Sequence, residues 1–401
     1  MSTLFEAVEL APRDPILGLN EQYVADERPN KVNLGVGVYY DDQGRVPLLE
    51  CVHQVELSRV QAAGAHSYLP IEGLTTLNNA ARALVLGKDS QANTSGRAFT
   101  VQAVGGTGAL KIGADYLKQL LPRAQVAISK PSWENHRALF ERAGFEVVEY
   151  AYYDPETHGL NLEGMIKAIN ALPDRSIVVL HACCHNPTGV DPTPEQWQQI
   201  AQAVKAKQHV PFLDIAYQGF GDGLQEDAAA VRLFVDMGLN CFISTSFSKS
   251  FSLYGERIGA LTVVTDSAEQ AKKVLSQVKR VIRTNYSNPP TFGGAVVAEV
   301  LNNDKLFALW DSELAQMRVR IKQMREQLVS KLKSAGVATN FDFVLAQKGM
   351  FSYSGLTAAQ VDTLREQHGI YAVSSGRICV AALNSRNIDT VANAIASVLK
   401  G

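Results

Sequence analysis

The sequence predicts an α/β fold: a large domain built on a mostly parallel seven-stranded sheet flanked by helices, joined to a smaller α+β domain. Three observations carry this. Between residues 98 and 265, seven short runs rich in β-branched and aromatic residues alternate with helix-period stretches. The runs are apolar at nearly every position, which is the pattern of strands covered on both faces. After about residue 300 the alternation gives way to a long amphipathic stretch and then to short mixed elements.

In order, AFTVQAV (98–104) leads through Gly105-Gly106-Thr107-Gly108 into a helical stretch at 107–121. QVAIS (125–129) precedes Pro131-Ser132-Trp133-Glu134-Asn135-His136, the start of the next crossover. EVVEYA (146–151) is followed by a helical stretch at 161–172. SIVVLHA (176–182) exits through His185-Asn186-Pro187-Thr188-Gly189, in which Asn-Pro and Thr-Gly are turn dipeptides. Asp191-Pro192-Thr193-Pro194-Glu195 has the form of a capped helix start with proline in its first turn, opening 193–207. VPFLDIA (210–216), CFISTS (241–246) and ALTVVT (260–265) complete the seven runs. Residues 302–335 form one long amphipathic helix or two, which Gly336 would end. The smaller unit then takes 349–354, 357–367, 377–382 and 388–399. The expected division is an N-terminal arm (1–14), a small domain (15–40 and 305–401) and a large domain (41–304).

The charges nearly cancel, with 38 Lys plus Arg against 40 Asp plus Glu, for a net charge of -2. No basic excess is left to neutralise phosphates, so a general nucleic-acid binder is excluded. No stretch reaches the ~18 apolar residues of a membrane span. The start, MSTLFEAVELAPRDP, lacks the basic and apolar regions of a secretory signal. Five scattered cysteines (Cys51, Cys183, Cys184, Cys241 and Cys379) do not form a disulfide framework, and the adjacent pair lacks zinc spacing. Reduced, buried thiols of a cytoplasmic protein are expected, with no metal.

Chemistry gathers at the ends of the apolar runs, where ligands of α/β sheets sit. Lys249, in Ser246-Phe247-Ser248-Lys249-Ser250-Phe251, directly follows one of them. A random lysine is a solvated surface residue, but this one stands among hydroxyls with Arg257 eight positions on. That mixture suits a phosphate-bearing cofactor whose carbonyl a desolvated amine attacks. Asp214 ends an almost wholly apolar run. A helix cap is an equal reading of it; the functional one is a carboxylate paired with a cationic heterocycle. Tyr217 and Asn186 stand where each could reach the same ligand, although packing and turn roles explain both as well. Gly106 and Thr107 open a helix whose amides could bind phosphate. The dinucleotide and P-loop glycine patterns are absent, which argues against a nicotinamide dehydrogenase. Trp133 could stack on a ring; Trp197 and Trp310 are expected in the core. Arg377 and Arg283 could each fork onto a carboxylate, as could any arginine.

In their order and spacing, these motifs resemble those of fold-type I pyridoxal-phosphate aminotransferases, in the branch holding the aspartate and aromatic-amino-acid enzymes. The likeness runs from Asn33-Leu34-Gly35-Val36-Gly37-Val38-Tyr39 through Tyr68-Leu69-Pro70, Gly106-Thr107-Gly108, Asn186-Pro187-Thr188-Gly189, Asp214-Ile215-Ala216-Tyr217 and Ser246-Phe247-Ser248-Lys249 to Ser375-Gly376-Arg377. The resemblance implies that Lys249 bonds pyridoxal 5'-phosphate covalently and later shuttles a proton. It implies that Asp214 keeps the pyridine nitrogen protonated, with His136 behind it, that Asn186 and Tyr217 meet the phenolic oxygen, and that Trp133 stacks on the ring. Gly106, Thr107, Ser246 and Arg257 would hold the phosphate, with Tyr68 reaching in from a second subunit of a homodimer. Arg377 would clamp the substrate α-carboxylate, Arg283 of the second subunit a side-chain carboxylate, and Gly37 and Phe351 would line the substrate cavity.

Within this family Tyr40 and Val46 resemble the aromatic branch, as do 68–73 and 283–287. Val38, Thr107 and Asn288 resemble the aspartate branch. The expected function is ping-pong transfer of the amino group of tyrosine, phenylalanine and aspartate to 2-oxoglutarate. The alternatives are a strict aspartate aminotransferase, another enzyme of the same cofactor such as a β-lyase or decarboxylase, and a non-enzymatic aminotransferase-like regulator.

Overall fold

The structure, a computed structural model, describes residues 4–400. Residues 1–3 of the expected N-terminal arm lie outside them. Seven strands form the main sheet: β1 (Ala98–Val104), β2 (Gln125–Lys130), β3 (Glu146–Ala151), β4 (Ile177–His181), β5 (Val210–Ile215), β6 (Cys241–Ser246) and β7 (Ile258–Val264). Each coincides with one of the seven apolar runs. Their spatial order is β1-β7-β6-β5-β4-β2-β3. All neighbours are parallel except β7, which is antiparallel to both β1 and β6.

Apolar residues at successive positions follow from this layering. Along β4, Val178 and Leu180 join one core while Ile177 and Val179 join another. The same alternation sends Leu213 and Phe212 of β5 to opposite faces. One face packs on the helices Gly105–Leu120 and Ala268–Asn285, through residues such as Leu110, Leu117, Val278 and Ile282. The other face packs on Pro194–Ala206 through Trp197 and Ile200.

Residues 304–334 form one helix, Asp304–Ser334, not two. Its N-cap is Asn303, whose side chain accepts from the amides of Lys305 and Leu306. A stripe of Trp310, Leu314, Met317, Ile321, Met324, Leu328 and Leu332 is buried along its whole length. The unbroken 3–4 spacing of that stripe leaves no reason for a break. The helix packs first on Glu50–Ala62 and Phe292–Asn302, then on Ile388–Lys400, so it bridges the two expected domains. Trp310 Nε1 donates to Ser250 O at 2.7 Å, tying this helix to the loop that carries Lys249.

In the C-terminal part, Phe351–Tyr353 pairs antiparallel with Arg377–Cys379. Val32–Asn33 pairs in parallel with Ile370–Tyr371, which draws the start of the chain onto the C-terminal unit. Helices that the alternation did not single out complete the layers, among them Leu17–Ala25, Glu50–Ala62, Thr75–Leu86, Ala229–Asp236, Ala268–Asn285 and Phe292–Asn302. All five cysteines are free and buried. Among the described residues no helix is long and apolar enough to cross a membrane.

Candidate active site

The sheet topology concentrates the chemistry. Parallel strands β2, β4, β5 and β6 all release the chain at one edge of the sheet. Because β7 is antiparallel, its first residues arrive at that same edge: Ile258 faces Val104, the last residue of β1, and Gly259 faces Ser246. Loops after five strands and the start of a sixth therefore surround one cavity of about 360 Å³. It is lined by Gly37, Gly106, Thr107, Trp133, Asn186, Asp214, Tyr217, Ser246, Lys249, Arg257, Phe351 and Arg377. Twelve of the residues singled out from the sequence thus meet in one place. Tyr68 and Arg283 do not: Tyr68 is 92% exposed, and Arg283 is exposed with its guanidinium on Ser287 Oγ.

Close packing explains the glycines. A Cβ on Gly259 would lie 2.4 Å from the carbonyl carbon of Gly105, so β7 can approach the helix start only without a side chain. A Cβ on Gly37 would lie 2.6 Å from the ring of Phe351.

At one end the cavity suits a phosphate. The helix Gly105–Leu120 begins there without a side-chain cap; the Gly105 amide donates to Arg257 O at 2.9 Å, which leaves the amides that follow it to face a ligand. Thr107, Ser246 and Ser248 supply hydroxyls. Arg257, left-handed at φ 56°, places Nη1 3.1 Å from Ser248 Oγ. Among the described residues Asp214 is the only carboxylate lining the cavity, so an anion meets little repulsion.

Asp214 is buried at the end of β5, and His136 Nε2 lies 2.9 Å from its Oδ2. His136 Nδ1 is 3.0 Å from Ser132 Oγ, so the imidazole bridges the serine and the aspartate. Burial alone pushes the Asp214 carboxyl up. The hydrogen bond from His136 and the charges of His136, His181 and Lys249 more than reverse this, holding it below the ordinary carboxylate range.

Lys249 is part-buried, with Nζ 5.0 Å from the centre of the Tyr217 ring. Burial is the main cause that pushes its pKa down to about 8; Arg257 and Arg377 add to it and Asp214 opposes it. Arg377, 1% exposed, lies 4.3 Å from the Phe351 ring centre. It donates from Nη1 to Asn186 Oδ1 at 3.0 Å and from Nη2 to Gly35 O at 2.5 Å. Its Nε is buried without a hydrogen-bond partner among the described residues.

Sequence reasoning did not single out Ile16, Leu17, His181, Ser248 or Tyr254, which also line the cavity. Among the described residues neither nitrogen of buried His181 has a hydrogen-bond partner, and only the third dimension discloses that. Burial, then His136, push its pKa down to about 3, and burial likewise pushes His185 well down. A histidine held neutral in the folded state costs stability once the unfolded chain can take up a proton. Stability is therefore expected to fall as pH drops below 6.5, by about 1.4 kcal/mol per group at pH 5.5. Urea midpoints at pH 7.5 and 5.5 check this, and His181→Gln should flatten the slope.

Outside the cavity, Cys183, Cys184 and Asp227 bring ligand-type atoms within 4.8 Å of one another. The Asp227 carboxylate already accepts from the amides of Gly219, Gly221 and Asp222, so it serves a turn.

A phosphate cradle, a cavity-lining amine and a histidine-backed carboxylate around one cavity define a pyridoxal-phosphate enzyme, and the residues present fit that cofactor. The chain belongs to the aminotransferase class I and II family, whose model matches residues 29–395. It is 61% identical over 397 residues to an aspartate aminotransferase of Pseudomonas aeruginosa, covering 99% of this chain and all of that protein. The crystal structure of an aromatic-amino-acid aminotransferase from Burkholderia pseudomallei, covalently bound to pyridoxal phosphate, superposes with a TM-score of 0.97. It shares 63% identity over 99% of this chain and all of that one. A psychrophilic aromatic amino acid aminotransferase from Psychrobacter sp. B6, cocrystallised with aspartic acid, also has a TM-score of 0.97, with 45% identity over 99% of this chain and all of that one. The protein is an enzyme of pyridoxal-phosphate-dependent transamination.

Proposed function

We propose that this aminotransferase moves the amino group of tyrosine and phenylalanine, and of aspartate, to 2-oxoglutarate. The observation that carries the reading is the cavity wall. Ile16, Leu17, Val36, Val38, Trp133 and Phe351 give it a broad apolar side, and its own cations are Lys249, Arg257 and Arg377. A ring can be buried there without stranding a charge. The Psychrobacter relative, an aromatic enzyme crystallised with aspartic acid, supports both substrate types in one site. The Pseudomonas relative favours the second reading, a strict aspartate aminotransferase. Comparing kcat/KM for tyrosine, phenylalanine and aspartate decides: aspartate ahead by orders of magnitude selects the second.

When bound, pyridoxal phosphate supplies a protonated ring that delocalises the electron pair left on breaking the Cα–H bond of an amino acid. The chain supplies the rest. Lys249 carries the cofactor and, as a free amine, takes the Cα proton at Nζ and returns it. Its depressed pKa keeps a useful fraction of the base form near neutral pH. Asp214, kept ionised by His136, holds positive charge beside it. Gly106, Thr107, Ser246 and Arg257 hold the phosphate, and Tyr217 and Asn186 offer hydrogen bonds at the ring's edge. Trp133 covers one face. Arg377 binds the substrate α-carboxylate, steered by Asn186 and Gly35 O, with Gly37 and Phe351 shaping the space for the rest of the substrate.

We assign Tyr68 and Arg283 to the active site of the other subunit of a homodimer, since neither reaches the cavity of its own chain. Exposed Leu4, Phe5, Val8, Leu10, Val60 and Phe292 are the apolar surface such a dimer would cover. Sedimentation of the purified protein as a monomer would remove this assignment. The free, buried thiols support a cytoplasmic location. An absorption spectrum tests the chemistry. A visible band should vanish on adding tyrosine or aspartate and return with 2-oxoglutarate; a band indifferent to both would point to a lyase or a regulator.

A further inference from the structure

Behind the turn that carries Asn186 lies a second cavity, of about 520 Å³, whose walls include Cys183, Asp191, Trp197, Asp227 and Lys348. Asp191 faces it from one side and the turn from the other. Its Oδ2 accepts the amide of Cys184 at 2.7 Å, and its Oδ1 accepts the amide of His185 at 2.9 Å. These are the two residues directly before Asn186. Cys184 adopts the left-handed region (φ 51°), a conformation that a residue with a side chain keeps only with outside support. Asp191 provides that support, because both of its oxygens grip the backbone there.

The rest of the turn is tied elsewhere. The His185 ring lies between Ser129 Oγ at 2.9 Å and Thr188 Oγ1 at 2.8 Å. The carbonyl of Gly189 accepts the amide of Lys348 at 2.7 Å. Asn186 then presents Oδ1 to Arg377 Nη1 at 3.0 Å. A continuous path of hydrogen bonds and backbone therefore runs from Asp191 through residues 184–186 to the buried guanidinium.

We propose that Asp191 is a positioning residue for the substrate-carboxylate clamp: its carboxylate holds the turn that aims Asn186, and through Asn186 the guanidinium of Arg377. Asp191 lines the second cavity and is not among the residues lining the active-site cavity. The inference rests on the roles proposed above for Asn186 and Arg377. An ionised carboxylate is needed because it only accepts, whereas an amide of the same shape sets an N–H against one of the two backbone donors. Burial pushes the Asp191 carboxyl up to about 6. The amides of His185 and Cys184 and the charge of Lys348 oppose this, and Asp227 adds to it. Asp222 and Glu226 are the other acids around the cavity. Asp191 is thus ionised at neutral pH and protonates just below it, when one oxygen becomes a donor.

The test uses the holoenzyme. In Asp191→Asn, KM for tyrosine and for 2-oxoglutarate should each rise about tenfold while kcat changes less than about threefold, because both substrates present the same carboxylate to the clamp. Adding Asn186→Ala should raise KM no further than Asn186→Ala alone, since both act through one contact. Unchanged KM values, or single effects that multiply, overturn the proposal. If Asp191→Asn fails to fold, the wild-type enzyme still decides. KM should rise as pH falls from 7 to 5 with its midpoint near 6, and a flat KM over that range overturns the proposal. The absorption cycle of the wild type with tyrosine and 2-oxoglutarate is read separately, so failure of the functional reading is distinguishable from failure of this one.

Discussion

Lys249→Ala is expected to lower turnover by at least about 10⁴-fold while leaving the fold intact. The other groups lining the cavity explain why nothing replaces the amine. His181 is pushed down to about 3, chiefly by burial, and is a poor base. Tyr217 and Tyr254 are pushed well up by burial and stay protonated. Asp214 lies below the ordinary carboxylate range and has little appetite for a proton at neutral pH. Only Lys249, pushed down to about 8, combines a position in the cavity with a titration near the working pH. Alanine removes the amine without adding bulk, and it also removes the charge that burial disfavours, so the fold should not suffer. Two measurements separate the roles. Single-turnover absorbance with tyrosine reads proton transfer. Protein mass after borohydride reduction reads the covalent link, which the wild type should retain and the variant should lack. Turnover within tenfold of wild type would place the base elsewhere.

Legibility in the sequence followed a physical divide. The seven sheet strands stood out because each is covered on both faces, so burial is written into consecutive residues. The site residues at their ends stood out for the same reason: Asp214 and Lys249 are charged groups placed directly against apolar runs. The helix Glu50–Ala62 was silent because only Cys51, Val52 and Val55 of its residues are buried, too few to mark a face. The capped helix start near 193 is real, with Thr193 accepting from Gln196 and Pro194 in the first turn. Asp191, in the same five-residue motif, faces the other way, onto the amides of Cys184 and His185. Nothing local separates those two uses. Arg325 is a sharper case. Its stripe position on the long helix gives no sign that it is a buried cation donating to the carbonyls of Gly349 and Phe351 and to Ser352 Oγ. Its partners are 24 to 27 residues away, and a pattern that looks one helical turn ahead cannot find them.

Asp214→Ala should cost about 3–5 kcal/mol in kcat/KM, or roughly 10²–10⁴-fold, because it removes one half of a buried charge pairing. The structure places the carboxylate where burial alone would neutralise it and then adds His136 to keep it charged, with Ser132 behind the imidazole. Because the carboxyl ends below its ordinary range, the folded chain already favours the charged form, ready for a cation beside it. A buried anion stabilises a protonated ring nitrogen more strongly than a solvated one could, since little water intervenes. Asp214→Asn tests whether charge or shape matters. It keeps the volume and one acceptor, and it is expected to lose nearly as much as alanine. The loss should be nearly independent of pH from 6 to 9, because a carboxyl held below its ordinary range stays ionised throughout. An asparagine variant with close to wild-type kcat/KM would mean that the side chain at 214 only fills space, and the electrostatic account of the site would fail with it.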